Sequence, residues 1–159
     1  MTNKTGRELL YLDDIQVGQR FSSASQAVDA AQIKAFAAQF DPQPFHLDEQ
    51  AACNSIFAGL AASGWHTAAI TMRLLVTSGA PIAGGLVGAG CEISWPMPTR
   101  PGDILNAETE ILEVAASRSR PDRGIVTILS KTHNQHGDVV QIMTAKLIVF
   151  RRPAPGSAG

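Results

Sequence analysis

Two proton-handling side chains stand five residues apart in "FDPQPFHLDEQ": Asp41 and His46, in a segment stiffened by Pro42 and Pro44. The prolines fix φ at their own positions and push Asp41 and Gln43 toward extended conformations. A loop so restrained limits how far carboxylate and imidazole can wander, as general acid–base work requires. An aspartate accepts a proton, while a histidine can orient, donate or relay near neutral pH. The same residues also suit an ordinary polar connection, because Asp-Pro starts turns and "HLDE" can lead into a helix.

A second candidate lies in "ASGWHT". Ser63 is placed to cap a helix, and Gly64 then exposes a backbone N–H with no intrahelical acceptor at the positive end of the helix dipole. A glycine there lets a substrate carbonyl approach the backbone, and an oxyanion donor of this kind is worth ~3–4 kcal/mol in acyl chemistry. Capping and close packing explain the pair equally well.

The elements that must position these groups are legible from period. Residues 29–40 suit a helix capped by Asp29, with Ile33, Phe36, Ala37 and Phe40 on one face, and Asp48 can cap a short helix through "EQAACNSI". A longer helix runs from Ser63 to a stop at Gly79 and Pro81. It is apolar on most sides and reads as buried, with His66 and Arg73 sharing a face. From residue 86 the period becomes two. The alternation predicts a half-buried strand through Trp95 and another in "ILNAETEILEV"; "GIVTILSKTH" and "VVQIMTAKLIVF" are β-rich and read as two more, with "NQHGD" as a hairpin turn. An early strand near "GQRFSSASQAV" brings the expected number to five. Helices first and consecutive strands afterwards argue for α+β. The expected architecture is one hotdog domain, an antiparallel sheet wrapped around a long apolar central helix, over residues 1–152, with 153–159 as a flexible tail.

The whole chain narrows the function. Its 159 residues suffice for one domain with a real core, at 45% apolar and 17% charged content. A net charge of −1 argues against a nucleic-acid footprint. No apolar run reaches the ~18 residues of a membrane span. Cys53 and Cys91 form neither a disulfide framework nor a metal spacing, and read as buried or half-buried residues in a cytoplasmic protein.

Taken in order, "FDPQPFHLDEQAA", "GLAASGWHT" and "GCEISWPMPTRPGD" closely resemble the MaoC-like dehydratases, a family that includes (R)-specific enoyl-CoA hydratases, and the resemblance runs from about residue 12 to 150. It implies a hotdog enzyme acting on acyl-CoA or acyl-carrier thioesters, as a homodimer or dimer of dimers, with no cofactor beyond the CoA of the substrate and no metal. By the resemblance, Asp41 and His46 activate a water that adds to C3 of a trans-2-enoyl thioester, a proton reaches C2, and the Gly64 amide donates to the thioester oxygen. Ser63, Trp65 and His66 are the expected substrate-binding residues. Three positions depart from the family's usual pattern: Gln43 stands for Asn, Ser63 for His, and Met72 for a serine of some hydratases, with Thr71 or His66 as possible substitutes. A hotdog thioesterase and a non-catalytic acyl-binding subunit are the alternatives.

Other features carry less. Arg118, Arg120 and Arg123, and separately Arg100, could meet CoA phosphates, although solvated turns explain the first three more simply. His133 and His136 lack a third metal ligand. "GGLVGAG" runs into a strand rather than a helix, so it is no nucleotide loop. Trp65, Met72 and Trp95 are candidate walls for the acyl group.

Overall fold

The computed structural model describes residues 1–2 and 6–155. The last four residues of the expected tail lie outside them. Five strands form one antiparallel sheet: β1 (Arg20–Ala27), β2 (Val87–Ser94), β3 (Ile104–Ala116), β4 (Arg123–His133) and β5 (Val139–Phe150). Their order is β1-β3-β4-β5-β2. Among the described residues four α-helices accompany it: α1 (Ala30–Phe40), α2 (Pro44–Leu47), α3 (Glu49–Cys53) and α4 (Gly64–Ser78).

The caps act as the residue types demand. Asp29 accepts from the Gln32 N–H at the start of α1, Asp48 from Ala51 at the start of α3, and Ser63 from Trp65 at the start of α4. Gly79 ends α4, its N–H donating to the carbonyls of Leu74 and Leu75. Strand alternation sets the core: Leu105, Ala107, Thr109 and Ile111 of β3 and Val126, Ile128 and Ser130 of β4 turn inward. The apolar ones meet Ile70, Leu74 and Leu75 of α4 in one cluster, while Thr109 and Ser130 share a hydrogen bond at 2.7 Å. Buried hydroxyl pairs, Thr67–Thr99 at 2.9 Å and Thr71–Thr132 at 2.7 Å, pin the helix within this apolar contact.

Five expectations need correction. α4 is buried on one side only: Trp65, Met72 and Val76 are exposed, Trp65 by 62%. A helix can be apolar all round and still leave one face for something outside the chain. His66 and Arg73 do not share an environment, because the Phe36 ring stacks on His66 at 4.7 Å while Arg73, two turns on, is exposed. β2 is an edge strand, exposed at every position except Ile93, and it ends before Trp95. Cys53 and Cys91 are exposed free thiols. The proline segment is extended only in part, because Pro44 occupies the first position of α2, where its missing N–H and fixed φ favour a helical turn.

Among the described residues, no helix is long and apolar enough to cross a membrane.

Candidate active site

Asp41 is the C-cap of α1, its N–H donating to the Ala37 carbonyl, so its carboxylate stands where the chain leaves the helix. Gln43 is extended, and α2 then lifts His46 back toward Asp41. The result is a close pair, His46 Nε2 to Asp41 Oδ2 at 3.3 Å, with His46 buried and Asp41 largely so.

Both members are held from behind. His46 Nδ1 lies 2.6 Å from the Ala61 carbonyl oxygen, which can only accept, so Nδ1 carries the proton. In the neutral ring, Nε2 is then an acceptor facing a carboxylate. A single shared proton, or a water donating to both, satisfies that arrangement. Gln43 Nε2 donates to Asp41 Oδ1 at 2.7 Å, so the longer amide reaches back to the carboxylate two residues earlier. Burial pushes the Asp41 carboxyl up, but hydrogen bonds from Ser63 and Gln43, with a smaller electrostatic contribution from the neighbouring His46 ring, outweigh it and leave the group below its ordinary value. Asp41 is therefore a carboxylate at neutral pH.

Facing this pair is the first turn of α4. The first rung of the helix runs from the Thr67 N–H to the Ser63 carbonyl, and the Ser63 hydroxyl accepts from Trp65. The Gly64 N–H donates in none of the hydrogen bonds among the described residues. Over Gly64 lies Trp95, and Trp65 meets that indole edge-on at 5.6 Å. Trp95 Nε1 donates to Oε1 of the buried Gln141 at 2.9 Å.

Asp41, Gln43, His46 and Gly64 line one cleft of about 710 Å³ together with Phe45, Phe57, Trp65, Trp95 and Met97. A polar patch in an apolar cleft suits a ligand with one reactive group and an apolar remainder. A second cleft of about 750 Å³ lies between Tyr11 and Phe150, but its Arg151 and Arg152 are ion-paired to Asp13 and Asp14. The first cleft holds the reactive groups.

The structure does not bring every expected residue to that wall. Ser63 is fully buried, its hydroxyl turned to the Trp65 N–H and Asp41 rather than to the cleft. His66 is buried against Phe36, away from the lining, and burial holds its imidazole below the ordinary value. The Thr71 hydroxyl is engaged with Thr132, and Met72 lines a separate apolar groove with Leu75 and Met143, so neither replaces a hydratase serine in this cleft. Arg118, Arg120 and Arg123 are absent from the lining, and Arg123 pairs with Asp122 beneath a cation–π contact to Phe150. Arg100 does line the cleft, but its guanidinium grips backbone carbonyls. Among the described residues, no group of three or more His, Cys, Asp or Glu is placed to hold a metal. The anchoring of Trp95 by Gln141 had no local signal, since 46 residues separate them.

The model of the MaoC like domain matches residues 14–134, a span holding every residue that lines the first cleft. The chain belongs to the MaoC-like family. Within that family it is 67% identical to the MaoC-like dehydratase from Rhodospirillum rubrum, whose crystal structure superimposes with a TM-score of 0.90 over 91% of this chain and 99% of that one. The (R)-hydratase from A. caviae involved in PHA biosynthesis is 28% identical, with a TM-score of 0.66 over 87% of this chain and 98% of that one. The Bacillus subtilis (strain 168) protein YdeM is 36% identical over 127 residues, 78% of this chain and 87% of that one. The MaoC-like fold is the hotdog, and these relatives support a hydratase or dehydratase role in general terms.

Proposed function

We propose that this MaoC-like protein reversibly hydrates the C2–C3 double bond of a trans-2-enoyl thioester, with CoA or an acyl carrier as the thiol component, to give a 3-hydroxyacyl thioester. The observation that carries this is the convergence in one cleft of a deprotonated Asp41, an Nε2 acceptor on His46, and the unpartnered N–H of Gly64.

A water seated between Asp41 Oδ2 and His46 Nε2 donates to both acceptors and turns its lone pair toward C3. As the oxygen bonds to C3, the pair takes one water proton and the π electrons shift toward the thioester carbonyl. The Gly64 N–H, at the positive end of α4, stabilises the enolate oxygen that develops. The proton returns to C2, so no charge or atom is left over. Dehydration runs the same steps backward. Trp65 flanks the thioester end of the cleft, while Ser63 holds Asp41 rather than touching substrate.

A second copy of the chain covers the uncovered face. The open edge of β2 and the exposed Trp65, Met72 and Val76 of α4 together form an apolar surface with unpaired strand groups, which suits an isologous dimer. Light scattering on the purified protein tests this, and a monomer at micromolar concentration removes it.

The activity test follows loss of conjugated thioester absorbance with trans-2-enoyl-CoAs of several lengths, including branched and dicarboxylic acyl groups. Turnover that Asp41→Asn abolishes supports hydration. Release of free thiol from saturated acyl-CoA instead marks a thioesterase, and no turnover across the panel overturns the enzymatic reading.

A further inference from the structure

Arg100 lies 54 residues from His46 in sequence, and no motif connects them. We infer that Arg100 is a positioning residue for His46, acting through the backbone of residues 57–61. This rests on the proposed acid–base role of His46.

The contacts form a short chain. Nη1 of Arg100 donates to the carbonyls of Gly59 at 2.9 Å and Leu60 at 3.3 Å, and Nη2 donates to that of Phe57. The next carbonyl, that of Ala61, accepts from His46 Nδ1. The flanking amides are tied as well, Ala61 to the Phe45 carbonyl and Ala62 to the Thr99 carbonyl. The main chain of Arg100 is anchored in turn. Its own N–H donates to Asp103 Oδ2, while Asp103 Oδ1 accepts from Gln135 Nε2 in the β4–β5 turn. The β4–β5 turn therefore holds Asp103, Asp103 holds the main chain of Arg100, and the guanidinium holds the carbonyls before Ala61.

The gripped segment needs such a hold. Ala58 has φ of +51°, a left-handed conformation that a residue with a Cβ rarely keeps unrestrained. A Cβ at Gly59 would stand 3.4 Å from Arg100 Nη1, so the guanidinium is packed on this backbone as well as bonded to it. A planar fork of five donors can meet several carbonyls at once, which a single ammonium cannot. Without it, the carbonyls of Phe57, Gly59 and Leu60 lose their common donor, and the Ala61 carbonyl keeps only the ties of its flanking amides to Thr99 and Phe45. The acceptor of Nδ1–H is then less firmly placed, and the ring can take the other tautomer, with its acceptor turned away from the water.

The test uses Arg100→Met and Arg100→Lys in the full-length protein. Two readouts are taken: steady-state kinetics with the best enoyl-CoA substrate, and ¹⁵N–¹H correlation of the imidazoles above pH 8. The wild type is expected to show His46 as the Nδ1–H tautomer. In Arg100→Met, kcat falls by about 10- to 100-fold with KM changed by less than about threefold, and the Nε2–H tautomer appears. Arg100→Lys lies between the two. Folded variants with wild-type kcat and an unchanged His46 spectrum overturn the inference. So does a substitution that raises KM alone, which makes Arg100 a substrate-binding residue. Should Arg100→Met fail to fold, Arg100→Lys is read by the same criteria, and loss of folding in both makes Arg100 a folding residue instead. If the wild type hydrates nothing, the proposed function fails, yet the tautomer measurement still decides the role of Arg100.

Discussion

The indole of Trp95 rests on the Cα of Gly64 so closely that a Cβ there would come within 2.7 Å of two ring carbons. Gly64 is therefore a glycine because of Trp95, whatever a substrate also requires. The indole cannot easily withdraw, because its Nε1 is tied to Gln141, whose own Nε2 has no partner among the described residues. Gly64→Ala is expected to cost about 1–3 kcal/mol in urea unfolding, an overpacking penalty. Adding Trp95→Leu should recover part of that loss, and equal stability of single and double variants would refute the packing account.

Asp41→Asn keeps the shape of the side chain but cannot take a proton. With the Gln43 and Ser63 contacts still available in part, kcat is expected to fall by about 10²- to 10⁴-fold with little change in KM. A variant within tenfold of wild type would remove Asp41 from the proton-transfer step.

Two groups set distinct acid windows for stability. Burial lowers the pKa of His66, so below its ordinary value of about 6.5 the unfolded chain binds a proton that the folded chain refuses. Stability should therefore decline as pH falls below about 6.5 and stop declining once the folded-state value is passed. His66→Phe, which retains a ring against Phe36, should flatten this slope. Asp41 acts lower: its depressed value contributes stability that is fully present above the ordinary carboxylate range and is lost as pH falls through the folded-state value. Urea midpoints between pH 4.5 and 8 check the first window, and a His66→Phe profile identical to wild type would contradict it.

The hydroxyl pair Thr71–Thr132 is fully buried between α4 and β4. Thr71→Val leaves the partner hydroxyl unsatisfied and is expected to cost about 1–3 kcal/mol, whereas the Thr71→Val, Thr132→Val double variant should lie closer to wild type. A double-mutant cycle in guanidinium measures the coupling, and strict additivity would mean the pair contributes nothing as a pair.

Local chemistry wrote much of this protein openly. The caps at Asp29, Asp48 and Ser63 and the stop at Gly79 fall where their residue types require, because a cap is satisfied within one turn. All five strands lie where β-rich or alternating stretches of the sequence place them, because strand propensity and a period of two are local properties. The segment around Pro44 was misleading for an equally local reason: proline suits both an extended loop and the first position of a helix, and only His46 packing inward selects the second.

Exposure was harder to foresee. An apolar helix and an alternating strand look the same whether their second face meets the same chain or another, so the uncovered sides of α4 and β2 could not be told from core.

By itself, then, the sequence determined which groups could do chemistry and which elements would carry them, since side-chain type, capping and period are properties of a few neighbouring residues. Only the tertiary structure decided that Asp41 and His46 stand 3.3 Å apart, that Gln43 rather than an asparagine suffices to hold the carboxylate, and that Trp95 covers Gly64. It also decided that Arg100 grips a loop instead of awaiting a phosphate. Each of these depends on how a helix end, a strand end and a loop meet across the sheet. Even the near neighbours Asp41, Gln43 and His46 are placed by contacts with Ala61 and Ser63, tens of positions from the strands that set the frame, which no local pattern encodes.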